Sequence, residues 1–218
     1  FFTITRDLQP LEGGFGRTDA LGTGGNTLFG QITPDNLRTV DGQVRIPEIW
    51  DGPSFDWAQY AGAIAQPMGR NVAETLGVFS QIDFAEGSNQ YTSSVPVDNL
   101  QWMEEALREL RSPPWPDVFP PIDEASAVRG AELYASLCQS CHEFEPLDDG
   151  RLQVKMFPQE YMGTDPTFLL NFASREVDTA QLGLGTLSAA EALTQITNRV
   201  IARKYADMGL SEEDIAEM

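Results

Sequence analysis

The sequence predicts a mainly α-helical chain with long irregular loops. Apolar residues recur at three- and four-residue spacing in several segments, the signature of helices buried on one face. Stretches rich in glycine or proline separate those segments. The apolar fraction, 41%, is enough for a real core, yet no run approaches the roughly 20 apolar residues of a membrane span.

From Phe1 to about Val95 the chain reads as irregular. "GGFGRTDALGTGGNTLFG" is rich in glycine, which permits positive-φ turns and close backbone approach. It is not a phosphate loop, because no G-K-[ST] ending follows. "VRIPEIWDGPSFDWAQY" sets Trp50 and Trp57 among turn residues, with core filling expected over contact with a bound group. "QPMGRNVAETLGVF" predicts a helix with Met68, Val72, Leu76 and Phe79 on one side. In "VDNLQWMEEALRELRS", Asp98 is the expected N-cap and Leu100, Met103, Leu107 and Leu110 the buried stripe. The five prolines of "SPPWPDVFPP" forbid a helix and set a stiff, extended connector. This divides the chain into a loop-rich region, 1–112, a connector, 113–121, and a second region, 122–218.

The second region opens with "PPIDEASAVRGAELYASLCQSCH", which predicts a helix capped by Asp123. Glu124 suits its positive end, and Val128, Ala131, Tyr134 and Cys138 fall on one face. "PLDDGRLQVKMFPQEYMGTDP" reads as a loop with one short strand. Asp165 and Pro166 are the expected N-cap and first residue of a helix over "TFLLNFAS". Ser188 and Glu191 form a capping box for a helix carrying Leu193, Ile196, Val200 and Tyr205. "SEEDIAEM" opens another helix, so the second region is expected to be incomplete at its C-terminus. The first residue is Phe1 rather than Met, which points to a processed, trimmed or partial chain. There are no internal repeats and no low-complexity tract.

The formal charge is -19, from 33 acidic and 14 basic residues. That balance argues against nucleic acid and anionic membranes, which attract cations. The acids are dispersed along the chain, giving a solvated acidic surface suited to a basic partner protein.

Both cysteines and the single histidine fall within "CQSCH". C-x-x-C-H is the c-type haem attachment pattern. Two thiols at this spacing add across the two haem vinyl groups, so Cys138 and Cys141 would anchor one haem c by thioether bonds. His142 follows as the proximal iron ligand. Three rivals remain. A thioredoxin-like pair belongs beside a βαβ pattern, which is absent. A zinc site needs further Cys or His ligands, and the chain has no others. A structural disulfide at this spacing would constrain little chain. A second axial histidine is impossible within this chain, so a methionine is the expected distal ligand. Met156, Met162 and Met208 are the candidates, and Met162, in the loop "QEYMGTDP", is preferred; an open site, or a ligand from sequence outside this chain or from another subunit, is the alternative.

A helix carrying a small residue and an aromatic, here Gly130 and Tyr134, and leading into C-x-x-C-H resembles the first helix of cytochrome c domains. The resemblance implies a cytochrome c-like haem domain preceded by a loop-rich segment, with Gly130 at a helix contact and Tyr134 near the haem. "GFGRTDALGTGGNTLFG", "FDWAQYAGAIAQPMGRNVAETLGVF", "LRSPPWPDVFPPID", "GAELYASLCQSCHEFEPLDDGRL" and "MGTDPTFLLNFASREVDTAQLG" together resemble the di-haem c-type cytochromes of the rubber oxygenase type. These are themselves distant relatives of bacterial di-haem cytochrome c peroxidases. The resemblance implies that Cys138, Cys141 and His142 form the second of two haem sites. The other haem, and a distal histidine, would come from sequence outside this chain. It also implies that the segment around Phe55, Trp57, Arg70, Asn71 and Glu74 packs near the haems, with Trp57 a candidate electron relay. The expected function is electron transfer within a di-haem oxidoreductase; a mono-haem electron carrier or cytochrome subunit is the alternative, and a haem-based sensor a weaker third. Covalent haem attachment takes place outside the cytoplasmic membrane, so a periplasmic or secreted location is expected.

Overall fold

A computed structural model describes residues 8–57, 62 and 64–211. Among them are eight α-helices and three two-stranded antiparallel sheets, a mainly α architecture. The segment expected to form a last helix, "SEEDIAEM", lies outside the described residues apart from Ser211.

In the glycine-rich stretch Gly14 and Gly16 take the expected positive φ, and the residues after Asp19 form a helix. Helix α1, Ala20–Phe29, starts where Asp19 accepts the Gly22 N–H at 2.8 Å. The other Asp19 carboxylate oxygen accepts the Gly42 N–H at 2.9 Å, so one buried carboxylate ties two segments. A short antiparallel pair, β1, Arg17–Thr18, with β2, Val44–Arg45, flanks this helix in the chain. The α1 glycines serve packing instead of turns. α1 crosses helix α2, Pro67–Val78, at Gly24 and Gly77, where a Cβ built on Gly77 would lie 2.9 Å from the Gly24 Cα. Gly77→Ala is therefore expected to force two backbones apart, at a cost of about 1–3 kcal/mol by analogy with overpacked cores. Urea unfolding of the purified variant measures it.

In α2, Pro67 occupies the first turn, and Met68, Val72 and Leu76 are buried as expected. Phe79 is not on that stripe. The helix ends at Val78, and Phe79 leaves it at φ -151°, 69% exposed. Helix α3, Val97–Leu107, also departs from expectation. Pro96 is its N-cap and Asp98 sits in the first turn. The buried residues are Val97, Leu100 and Glu104, whereas Met103 is exposed and Leu107 and Leu110 are half-buried. The stripe shifts because Glu104 faces α2, accepting hydrogen bonds from Arg70 and from Asn71.

From Arg111 to Ser140 every residue is exposed. The proline-rich connector is neither helix nor strand; the Trp115 indole N–H donates to the Pro120 carbonyl at 3.0 Å, and its ring meets Phe119. Helix α4, Glu124–Leu137, is capped by Asp123 as expected. A Cβ built on Gly130 would meet nothing within 4 Å beyond its own helix, so among the described residues the expected helix contact is not made there.

After the one-turn helix α5, Gln139–His142, the expected loop is a hairpin. Its strands are β3, Phe144–Pro146, and β4, Leu152–Val154. Helix α6 spans Gln159–Met162 and α7 spans Thr167–Ala173. Pro166 is the α7 N-cap, and Asp165 accepts the Thr167 N–H at 2.9 Å, within one residue of expectation. A third pair joins β5, Glu176–Asp178, to β6, Thr186–Ser188. It leads into helix α8, Ala189–Met208, through the expected Ser188–Glu191 capping box. Ile196 and Val200 are fully buried, and Leu193 and Tyr205 pack beside them.

The core joins residues from both sides of the connector. Leu28, Phe29, Val72, Leu76, Val177, Ile196 and Val200 share one cluster. Beside it, Arg175 is buried, donating to the Asn26 side chain and the Asn36 carbonyl at 2.8 and 2.7 Å. Burial pushes its guanidinium down to about 10.

Three helix-start carboxylates accept a hydroxyl hydrogen bond. Ser126 donates to Asp123, Thr167 to Asp165 and Ser188 to Glu191, and each bond holds its carboxyl below the ordinary value. A depressed folded-state pKa contributes stability above the unfolded value and loses it as pH falls through the folded one. Helical circular dichroism is thus expected to hold from neutral pH to about pH 4 and to fall below it.

Candidate functional site: the C-x-x-C-H turn and its hairpin

Cys138 ends one helix and begins the next. Its N–H donates to the Tyr134 carbonyl at 2.9 Å, while its φ of -120° breaks α4. Its own carbonyl then accepts the Cys141 N–H at 3.1 Å and the His142 N–H at 2.9 Å, which winds α5 into a single turn. Cys138 thus caps the turn and Cys141 lies within it, three residues on. Both thiols are free. Tyr134, one of the expected site residues, donates its hydroxyl to the His142 carbonyl at 2.8 Å.

The chain straightens at Glu143, whose carboxylate accepts from Gln139 at 3.1 Å and from Lys155 at 3.0 Å. The Lys155 bond comes first among the effects that hold the Glu143 carboxyl below its usual range, and Glu143 in turn raises Lys155. This pair extends the hairpin register, in which Phe144 faces Val154 and Pro146 faces Leu152.

A distant segment completes the hairpin. Phe55 bridges to Leu152 in parallel, and the Asp56 N–H donates to the Leu152 carbonyl at 3.0 Å. The Asp56 carboxylate accepts the Val154 N–H at 2.9 Å, and the Phe55 and Phe144 rings lie 5.0 Å apart. Trp57 follows, half-buried in an open cleft of about 400 Å³ lined also by Glu145, Lys155, Met156 and Phe157. Trp57 is therefore brought to the hairpin that leaves the C-x-x-C-H turn and does not fill the core; Trp50 is 42% exposed.

The other candidates lie apart from the turn in sequence or are already engaged. Met162 ends α6 with its side chain 46% exposed, and Met208 ends α8. Arg70 and Asn71 are committed to Glu104. Among the described residues no three His, Cys, Asp or Glu side chains converge on one metal point. A haem anchor needs no such convergence, because the porphyrin supplies four of the iron's ligands.

Sequence reasoning missed the hairpin and the Phe55–Leu152 bridge beside it. The first had a signal. Asp149-Gly150 between short apolar runs is a strong hairpin cue, and Gly150 has φ +84°. The second had none, since nothing local pairs Phe55 with a residue 97 positions on.

No family model and no solved structure matches the chain. It is similar to uncharacterized protein y4iJ of Sinorhizobium fredii, at 34% identity over 229 aligned residues covering 90% of this chain. The chain spans 38% of that relative's length. Among the described residues no helix is long and apolar enough to cross a membrane.

Proposed function

We propose that this chain binds haem c covalently and transfers electrons as part of a di-haem oxidoreductase of peroxidase- or oxygenase-like type. The observation that carries the reading is the single helical turn that Cys138 caps and that holds Cys141 and His142, with both thiols free and the chain's only imidazole next to the second.

The surroundings fit the group. Val128, Leu133, Tyr134, Leu137 and Phe144 are 44–74% exposed around the turn, an unusual concentration of open apolar surface beside polar anchoring atoms. A porphyrin has two apolar faces, and covering such side chains with one of them removes both from water. In this reading Cys138 and Cys141 hold the ring through thioethers and His142 binds the iron. Bound haem supplies the one-electron chemistry at iron. The chain's part is to fix the ring and set its polarity. Met162, or a residue from outside this chain, would supply the distal ligand. Trp57, in the cleft beside the hairpin, would serve as the electron relay toward a second haem.

Attachment of haem c outside the cytoplasmic membrane puts the protein in the periplasm or makes it secreted, where a basic redox partner suits its charge of -19. A mono-haem electron carrier is the second reading, favoured by the single C-x-x-C-H in 218 residues. Expression of the full chain with haem c maturation machinery, followed by a pyridine haemochrome spectrum of the denatured protein, tests haem binding. A thioether-type spectrum is expected, and colourless protein defeats the reading. Haem content of the whole protein separates the two functions.

A further inference from the structure

We infer that Tyr134 is a positioning residue for His142, acting through its hydroxyl on the peptide that follows the imidazole. This rests on the haem reading above. The hydrogen bonds of the turn close on themselves. The Tyr134 carbonyl accepts from Cys138 N–H at 2.9 Å, the Cys138 carbonyl accepts from His142 N–H at 2.9 Å, and the His142 carbonyl accepts the Tyr134 hydroxyl at 2.8 Å. The ring therefore begins and ends on Tyr134 and contains one of the two thioether cysteines and the axial ligand.

Ordinary packing does not do this work here. Every residue from Arg111 to Ser140 is exposed, so no core grips the helix that carries the turn. Two ties fix where the chain leaves it: the Tyr134 hydroxyl on His142, and Glu143 held by Gln139 and Lys155. The second tie sets the hairpin, whereas the first acts on the His142 peptide itself. With the His142 carbonyl pinned, rotation of that peptide is restricted, and with it the direction in which the Cα presents the imidazole. A ligand whose orientation is set in advance binds with one geometry instead of a spread.

Tyr134→Phe keeps the ring and removes the hydroxyl; Ser136→Ala, which removes a hydroxyl bonded to the Leu133 carbonyl two residues further along the same exposed helix, is the control. Two readouts are needed. In the full chain without haem, amide exchange at Cys141 and His142 is expected to be about fivefold faster in Tyr134→Phe, the loss of one neutral hydrogen bond. In the haem-loaded chain, the ferric EPR signal is expected to shift and broaden and the midpoint potential to move, with Ser136→Ala matching wild type in both. Unchanged exchange, or faster exchange with an unaltered EPR signal and potential, would overturn the positioning role. If Tyr134→Phe takes up no haem while Ser136→Ala does, the hydroxyl is needed to present the ligand and the inference stands. Wild-type chain that takes up no haem defeats the haem reading, and the positioning role with it.

Discussion

Replacing Cys138 and Cys141 together by alanine is expected to remove all covalently held haem, with the denatured double variant colourless where wild type keeps its pigment. Each single replacement is expected to keep one thioether and give a haemochrome band displaced from wild type, because one vinyl group stays conjugated with the ring. The graded outcome separates the readings of C-x-x-C. If the pair were a disulfide or dithiol redox couple, each single replacement would eliminate it as fully as the double. If it were half of a zinc site, the single variants would lose metal and none would have a haemochrome spectrum. Both thiols are free and stand one helical turn apart, on a turn shaped by Cys138 hydrogen bonds and not by a cross-link. The fold should tolerate the exchange, since Cys138 is exposed and Cys141 only partly covered. Loss of haem with an unchanged apo-chain circular dichroism spectrum is the expected combination.

The open surface around that turn bears on how far the sequence could be read. Asp123, Ser188 and Glu191 were legible because a cap is a local device, settled by residues within one turn. The face Val128, Ala131, Tyr134 and Cys138 was legible as a helical stripe, but periodicity does not say what covers it, and within this chain those residues are exposed. Helix α1 was illegible for the opposite reason. Gly24 and Gly25 weaken a helix by propensity, and their value lies in contacts distant in sequence: Gly24 against Gly77, and Gly25 against the buried Arg175. The haem chemistry proposed for Cys138, Cys141 and His142 was suggested by their spacing. The placing of Trp57 beside their hairpin needed the Phe55–Leu152 bridge, which no local pattern announces.

Glu104→Ala is expected to be strongly destabilising, by about 3–5 kcal/mol, more than the Gly77→Ala change at the helix crossing. Glu104 was the residue that displaced an apolar stripe, and the reason is a charge taken out of water. Its side chain is 5% exposed and that of Arg70 15%. One carboxylate oxygen accepts from both Arg70 and Asn71, and Arg70 Nε also donates to the Asn71 side-chain oxygen at 3.0 Å, so the three groups form a closed set bridging α2 and α3. Removing Glu104 leaves the guanidinium largely buried without this partner and leaves the Asn71 amide without this acceptor. That penalty exceeds the net worth of the intact pair, because a buried charge is costly chiefly when its partner is gone. Replacing Arg70 and Glu104 together by leucine and methionine should therefore cost much less than Glu104→Ala alone, which is the opposite of what two independent contacts would give. Urea unfolding of the two single variants and the double distinguishes the cases: a double variant as unstable as the sum of the singles would show that Arg70 and Glu104 act separately.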